Sequence, residues 1–386
     1  MDIATGEFLG FLNLSWQAVV MLVIGGVLIW LGIAKKVEPV LLVPIGFGCI
    51  LANIPLGGVS EVSEAGKAVG FLAVLREAGI HTEIFPLLIF IGIGAMIDFE
   101  PFLQRPYTIF LGAAAQFGIF GTFFLAYLLG DGWLHVLDFS LKDAASIGII
   151  GSADGPTSIY VATILQSKYT AAIVVAAYSY MAMVPIIQPP IIKAMCSKEE
   201  RALKMTSVAG TISQRTKILF PIITVLVVGL LAPKATPLIG CLMFGNLLRE
   251  CGVVERLSLA AQNELANIVT ILLGITVGGM MSGTEFLRPE TILVFILGII
   301  AFSLDTVAGV LLGKLMSVLS GRKINPMIGA CGISAFPMSS RVVQKMGLEA
   351  NPYNHLLMHA AGANVAGQIA SVVAGGVMLM LVPMFI

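Results

Sequence analysis

The chain has 386 residues, 58% of them hydrophobic and 11% charged, with a mean hydropathy of +0.97. Soluble domains carry about 25% charged residues, so the composition excludes an ordinary soluble enzyme and predicts an all-α, polytopic membrane protein. Lys+Arg and Asp+Glu are equal at 22 each, which gives no net charge to draw nucleic acid or an acidic partner.

Taken in order, the N-terminus lacks the basic n-region of a cleavable signal, so the first apolar run is expected to be a retained helix. Apolar runs suited to spanning lie at about 18–34, 39–54, 85–97, 109–129, 171–192, 218–232, 237–248, 268–281, 291–316 and 355–384. Several fall short of the roughly 20 residues that cross a bilayer upright, and 39–54 and 237–248 read as half-helices. The polar connection 57–83 contains a helix-like piece, 68–77, suited to the interface. The most basic loop is 197–217, with Lys198, Arg201, Lys204, Arg215 and Lys217. The positive-inside rule assigns it, with Lys35 and Lys36, to the cytoplasm. The five cysteines are scattered and give no metal or disulfide pattern. His355 and His359 are spaced i, i+4 on one expected helix, with no carboxylate nearby in sequence. Nucleotide-binding glycine signatures are absent after any plausible strand.

The stretch 148–160, GIIGSADGPTSIY, interrupts this apolar sequence. It carries Asp154, the hydroxyls of Ser152, Thr157 and Ser158, Pro156 and three glycines. A carboxylate at the bilayer centre costs about 2.5–3.5 kcal/mol on insertion scales and usually marks an ion path. Glycine and proline let the chain leave the helix, and unwound backbone at membrane depth survives only where it lines a cavity or is buried in protein. Carbonyls, hydroxyls and one carboxylate form a hard-oxygen set suited to Na+, with Asp154 as the principal ligand and Ser152 and Thr157 as weaker candidates. The alternative is a loop between two helices outside the membrane.

The chain also repeats itself. EPVLLVPIGFGCIL from Glu38 resembles TPLIGCLMFGNLL from Thr236, with Phe47-Gly48 on Phe244-Gly245. LQRP at 103–106 resembles FLRP at 286–289. Gly148, Gly151, Pro156 and Ser158 fall on Gly329, Gly332, Pro337 and Ser339, each 181 residues on. If the two broken segments are re-entrant and five runs of each unit cross, the units are inverted. The expected organisation is a first repeat, 1–196, with a re-entrant segment at about 144–166. A cytoplasmic linker, 197–217, follows, and then a second repeat, 218–386, with a re-entrant segment at about 324–345. Inverted repeats whose broken helices meet at the midplane are a common design for coupled ion transport.

The second broken segment, INPMIGACGISAFPMSSRVVQ, offers Asn325, Ser334, Ser339, Ser340 and one charge, Arg341. A guanidinium binds a planar carboxylate through paired hydrogen bonds; the other reading is an Arg snorkelling to the interface. In the run 171–192, Tyr178 reads as packing, whereas Tyr180 lies deeper and is suited to relaying a proton or lining a cation site. Asn364 and Gln368, i, i+4 among small residues, suit helix–helix hydrogen bonding, with Asn364 a weaker Na+ candidate. Asp305 is a second carboxylate at membrane depth and a further weak candidate.

GIIGSADGPTSIY, AYSYMAMVPIIQPPI and INPMIGACGISAFPMSSRV resemble the β-subunit of biotin-dependent, sodium-pumping decarboxylases, which act on oxaloacetate, methylmalonyl-CoA, glutaconyl-CoA or malonate. The likeness runs from about Ile33 to the C-terminus. It implies a membrane subunit that decarboxylates carboxybiotin and exports Na+, consuming a proton. It implies Na+ binding by Asp154, Ser334 and Asn325, proton handling by Ser334, a carboxybiotin site at Arg341 with Asn325, a catalytic role for Tyr180 and a functional position at Gly329. The implied partners are a biotin carrier subunit, a carboxyltransferase α-subunit and a small single-helix γ/δ-subunit, in a bacterial or archaeal cytoplasmic membrane. Biotin is expected on a partner, because AMKM does not occur here. Ser152 stands where the oxaloacetate enzyme is expected to have Gly. The acyl substrate, Na+ stoichiometry, proton source and any homo-oligomer stay open. A Na+-coupled secondary transporter of a carboxylate is the alternative on the same fold; a passive channel fits poorly, for want of a charged ring or polar helix face.

Overall fold

A computed structural model describes residues 10–36, 38–61, 63, 67–132, 134, 137–206 and 210–385. Positions 62 and 64–66 of the 57–83 connection, 207–209 of the basic linker, and both chain ends therefore lie outside the described residues. Among the described residues the chain is all helical, with no strand.

The first helices are α1 (Trp16–Ala34), α2 (Pro39–Ala52) and α3 (Phe71–Leu75), which runs into a π turn at Arg76–His81. Then come α4 (Ile84–Met96), α5 (Thr108–Leu129), α6 (Leu141–Gly148), α7 (Gly155–Ile164) and α8 (Thr170–Met195). After the linker follow α9 (Gln214–Leu231), α10 (Thr236–Glu250), α11 (Glu255–Gly279), α12 (Pro289–Leu319), α13 (Met338–Ala350) and α14 (Leu357–Leu381). Seven described helices are long and apolar enough to cross a membrane, or eight if the bent pair Phe71–His81 and Ile84–Met96 forms one span. The expected interfacial piece at 68–77 is thus the first arm of a helix bent by 62°. The 14 residues of α2 and 15 of α10 reach roughly 21–23 Å at about 1.5 Å per residue, short of the ~30 Å hydrocarbon core.

Helices α1–α4 and α9–α11 form one panel; α5–α8 and α12–α14 form the other. In the first panel α2 crosses α11 as α10 crosses α4, and both crossings rest on glycine. A methyl group at Gly48 would run into the Ile275 carbonyl and one at Gly278 into that of Ile45. Gly245 meets the Ile91 carbonyl and Gly94 that of Leu242 in the same manner. Small residues let membrane helices approach until their backbones touch.

The connections gather at two ends of the bundle. At one end, Lys217 pairs with Glu100 at 2.5 Å, Arg105 donates to the Thr206 carbonyl, and Arg249 donates to the Met96 carbonyl at 2.8 Å. At the other, Asn53 donates to the Met281 carbonyl at 2.7 Å and accepts from the Gly283 N–H at 2.9 Å. The 26-residue α8 runs from the second end to the first, which carries the basic linker. The two histidines do not share a helix: His355 precedes α14, while buried His359 sits 3.3 Å from Arg105.

Candidate cation and carboxylate site

Each broken segment folds into a hairpin whose two ends are tied together. Ser140 and Asp143 form a capping box at the start of α6, and Asp143 Oδ1 also accepts from Ser167 Oγ at 2.7 Å and the Lys168 N–H at 3.0 Å. The first hairpin therefore starts and finishes at the end opposite the linker. In the second, Asn325 and Asn354 both donate to the Arg201 carbonyl, at 3.1 and 2.9 Å, and Asn325 also donates to that of Leu203 at 2.8 Å. That hairpin starts and finishes at the linker end.

The tips meet. Ser334 donates to the Ser152 carbonyl from its hydroxyl at 2.7 Å and from its N–H at 3.2 Å. The first tip turns through Ala153, whose φ of 51° is left-handed, so that Asp154 becomes the N-cap of α7. Pro156 fits the first turn of α7, where an N–H is not required. The Asp154 carboxylate is buried and accepts from Thr157 Oγ1 at 2.6 Å and from Gln368 Nε2 at 2.9 Å, both on Oδ2. One turn earlier on α14, Asn364 donates to the Ile333 carbonyl at 2.6 Å. A single face of α14 thus grips both tips. Among the described residues the buried Asn364 Oδ1 has no hydrogen-bond partner, an unused acceptor of the kind a cation satisfies. On the other side Gln188 of α8 donates to the Ala330 carbonyl at 2.8 Å and accepts from Ser339 Oγ at 2.9 Å.

A cavity of about 490 Å³ lies between the panels and reaches Asp154, Ser334, Gln368, Tyr178, Glu38 and Arg341. Its size falls within the ~300–1,000 Å³ usual for small-molecule sites. Arg341 is exposed, on the first turn of α13, and among the described residues its guanidinium makes no ion pair or side-chain hydrogen bond. The fork is therefore free to take a planar anion.

Sequence reading and structure meet at Asp154, Ser334, Ser152, Thr157, Asn364 and Arg341, which the fold brings to the tips or the cavity. Four others stand apart. Tyr180 turns away from the cavity, donates to the Phe295 carbonyl and packs on Gly298 of α12. Asn325 anchors the second hairpin to the linker, and Gly329 packs backbone to backbone on Gly309 of α12. Asp305 is buried between Gly118 and Gly151, with its carboxylate facing the N–H groups of Gly118 and Ile119. The residues that sequence reasoning passed over are Tyr178, Gln368 and Glu38. Tyr178 lies against Gly155, and among the described residues its buried hydroxyl has no hydrogen-bond partner. Its spacing matches core packing, and only the glycine of the other element opens room for the ring beside Asp154. Among the described residues no group of three or more His, Cys, Asp or Glu is placed to hold a metal ion.

All-helical panels, at least seven candidate spans and two hairpins meeting at a buried carboxylate define a multi-pass membrane protein. Residues 17–382 match the family model described as the Na+-transporting oxaloacetate decarboxylase beta subunit. The chain is 46% identical to the oxaloacetate decarboxylase beta chain of Haemophilus ducreyi over 98% of each chain. It is 48% identical to the methylmalonyl-CoA decarboxylase subunit beta of Propionigenium modestum over 96% of each. Against the subunit of that name from Veillonella parvula it is 49% identical, over 96% of this chain and 94% of the relative. The chain belongs to this family of decarboxylase beta subunits.

Proposed function

We propose that the chain decarboxylates carboxybiotin delivered by a partner subunit and couples that step to Na+ export across a bacterial or archaeal cell membrane, with a proton consumed. The observation that carries this reading is the single cavity joining Arg341, an unpaired guanidinium, to Asp154 at the junction of the two tips. Arg341 holds the carboxylate of carboxybiotin through its planar fork. Na+ is taken by Asp154 together with other oxygens at the two tips: the Ser334 hydroxyl, the Ser152 carbonyl and the Asn364 side chain. Thr157 and Asp305 are secondary candidates. Separating the tips would strip the Ser152 carbonyl of both its Ser334 donors and change what a cation finds there. A ligand shifts only an equilibrium whose two states it binds unequally, and this junction provides such a difference. The placements of Tyr180 and Asn325 favour holding α12 and the second hairpin in position over direct contact with the ion.

The same reading takes 1–196 and 218–386 as inverted-topology repeats joined by a cytoplasmic linker, 197–217. Its support is that the hairpins are tied at opposite ends of α8 and touch at their tips. The relatives are named as beta chains or subunits, which supports a complex with a biotin carrier subunit, a carboxyltransferase α-subunit and a small single-helix γ/δ-subunit. Relatives named for oxaloacetate and for methylmalonyl-CoA stand at similar identity, so the acyl substrate is set by the partner that binds it. The expected result for Arg341→Lys, which keeps the charge and loses the fork, is a fall of at least tenfold in carboxybiotin decarboxylation while carboxyl transfer onto biotin by the partner continues. Decarboxylation at the wild-type rate would make Arg341 an interface anchor and remove the carboxylate site.

A further inference from the structure

Glu38 sits where α2 begins, at the linker end, and lines the same cavity as Arg341. As the residue before Pro39 it occupies the N-cap, where a carboxylate ordinarily accepts from the helix's own free N–H groups. Here it makes no such bond. Its φ of 37° places a non-glycine residue in the left-handed region, a conformation uncommon enough to suggest that the side chain is directed for another purpose. Among the described residues the Glu38 carboxylate has no hydrogen-bond partner, and it is half-buried. The groups facing it are Arg341 from α13 across the cavity mouth, with Asp154 and Tyr178 deeper in the same space; its neighbours Lys35 and Lys36 are exposed.

From this geometry we infer that Glu38 is the general acid for carboxybiotin decarboxylation in this subunit. The inference rests on the reading of Arg341 as the holder of the substrate carboxylate. With that carboxylate in the fork, the ureido nitrogen that bears it lies in the cavity mouth that Glu38 shares. The bond between that nitrogen and the carboxyl carbon breaks, and its electron pair returns to the nitrogen. The Glu38 carboxyl proton forms the new N–H bond, leaving CO2, biotin and the Glu38 carboxylate. Because Glu38 is only half-buried, it regains a proton from water at the mouth, and no further reactant is needed. Burial raises the Glu38 carboxyl above its ordinary range, with Arg341 pulling it partly back. A raised carboxyl keeps more of its acid form towards neutral pH, which is what a general acid requires. The rate should therefore fall as pH rises through this group.

The test uses the assembled complex with its carrier carboxylated on biotin, followed through one turnover at a series of pH values. Glu38→Gln cannot donate a proton and should slow decay on the order of 100-fold or more, with a flat pH profile. Glu38→Asp keeps an acid and should retain a sloping profile at reduced rate. Added formic or acetic acid should partly restore Glu38→Gln. Calorimetric binding of the biotinylated carrier, a readout independent of turnover, should match wild type and shows the variant is folded. The infrared carbonyl band of a protonated carboxyl should be lost in Glu38→Gln. Wild-type decay in Glu38→Gln while Arg341→Lys is impaired would overturn the role of Glu38 alone. Slowing that comes only from weaker carrier binding, without rescue by added acid, would equally overturn it.

Discussion

Asp154 is legible in the sequence because a carboxylate amid apolar residues needs a reason to be there. Its partners are less legible. Thr157 follows it by three residues and falls naturally into N-cap range, whereas Gln368 arrives from a helix 214 residues away. The pair Asn364 and Gln368 has the spacing of a helix-packing interface, and nothing local tells a packing amide from one that holds a hairpin tip. Tyr178 and Tyr180 illustrate the same limit: two residues apart on α8 they face different neighbours, and depth along the helix does not say which faces the cavity. A hydrogen bond to a charged group contributes about 1.5–3 kcal/mol. Removing the Gln368 donor should leave Asp154 less well held for the ion. Gln368→Ala is expected to raise the Na+ concentration for half-maximal decarboxylation roughly tenfold, at the low end of that range. An unchanged Na+ requirement would mean that the contact does not shape the site.

Helix by helix, the repeat was readable where its landmarks carry physical weight. Phe47-Gly48 and Phe244-Gly245 pair in sequence, and Gly48 and Gly245 are the residues on which α2 and α10 cross their partners. Crossing partners themselves could not be inferred, because Gly278 and Gly94 sit in runs with several glycines and no distinguishing pattern. The helix-like piece read at 68–77 lies on the bent arm at 71–81, but its joining to α4 went unread, because π turns leave no periodic signature and the segment is too polar to read as part of a span. Overpacking a close crossing costs about 1–3 kcal/mol. Gly48→Ala and Gly245→Ala should each lower the thermal midpoint of the purified protein in detergent by several degrees. Gly26→Ala on α1, where a methyl group meets nothing within 4 Å, should leave it unchanged. Equal midpoints for Gly48→Ala and Gly26→Ala would contradict the crossing.

At the scale of the molecule, charge decided more than hydropathy. The positive-inside count grouped Lys35, Lys36 and 197–217 on one side, and the fold gathers Arg341, Glu38 and the linker contacts at one end. Hydropathy alone missed that the short runs 39–54 and 237–248 cross α11 and α4 in their own panel. Single cysteines placed at Lys204 and Arg322, both exposed, in a chain cleared of its five native ones should react with an impermeant maleimide from the cytoplasm. A cysteine at exposed Asp131 should react from outside, and labelling of Lys204 and Asp131 positions from one side would refute the opposed hairpins. On the proposed function the coupling is a property of the whole assembly, in which Arg341 near the linker end and Asp154 at the tips would act in one cycle. It is tested most directly by the decarboxylation rate against Na+ concentration in vesicles containing the complex, for wild type, Asp154→Asn and Asp154→Glu. Asp154→Asn keeps the shape and removes the charge, so Na+-dependent decarboxylation and Na+ uptake should be lost together; Asp154→Glu should keep a weakened Na+ dependence. If Asp154→Asn were activated by Na+ as wild type is, the ion would bind elsewhere and the account of the tips would fail.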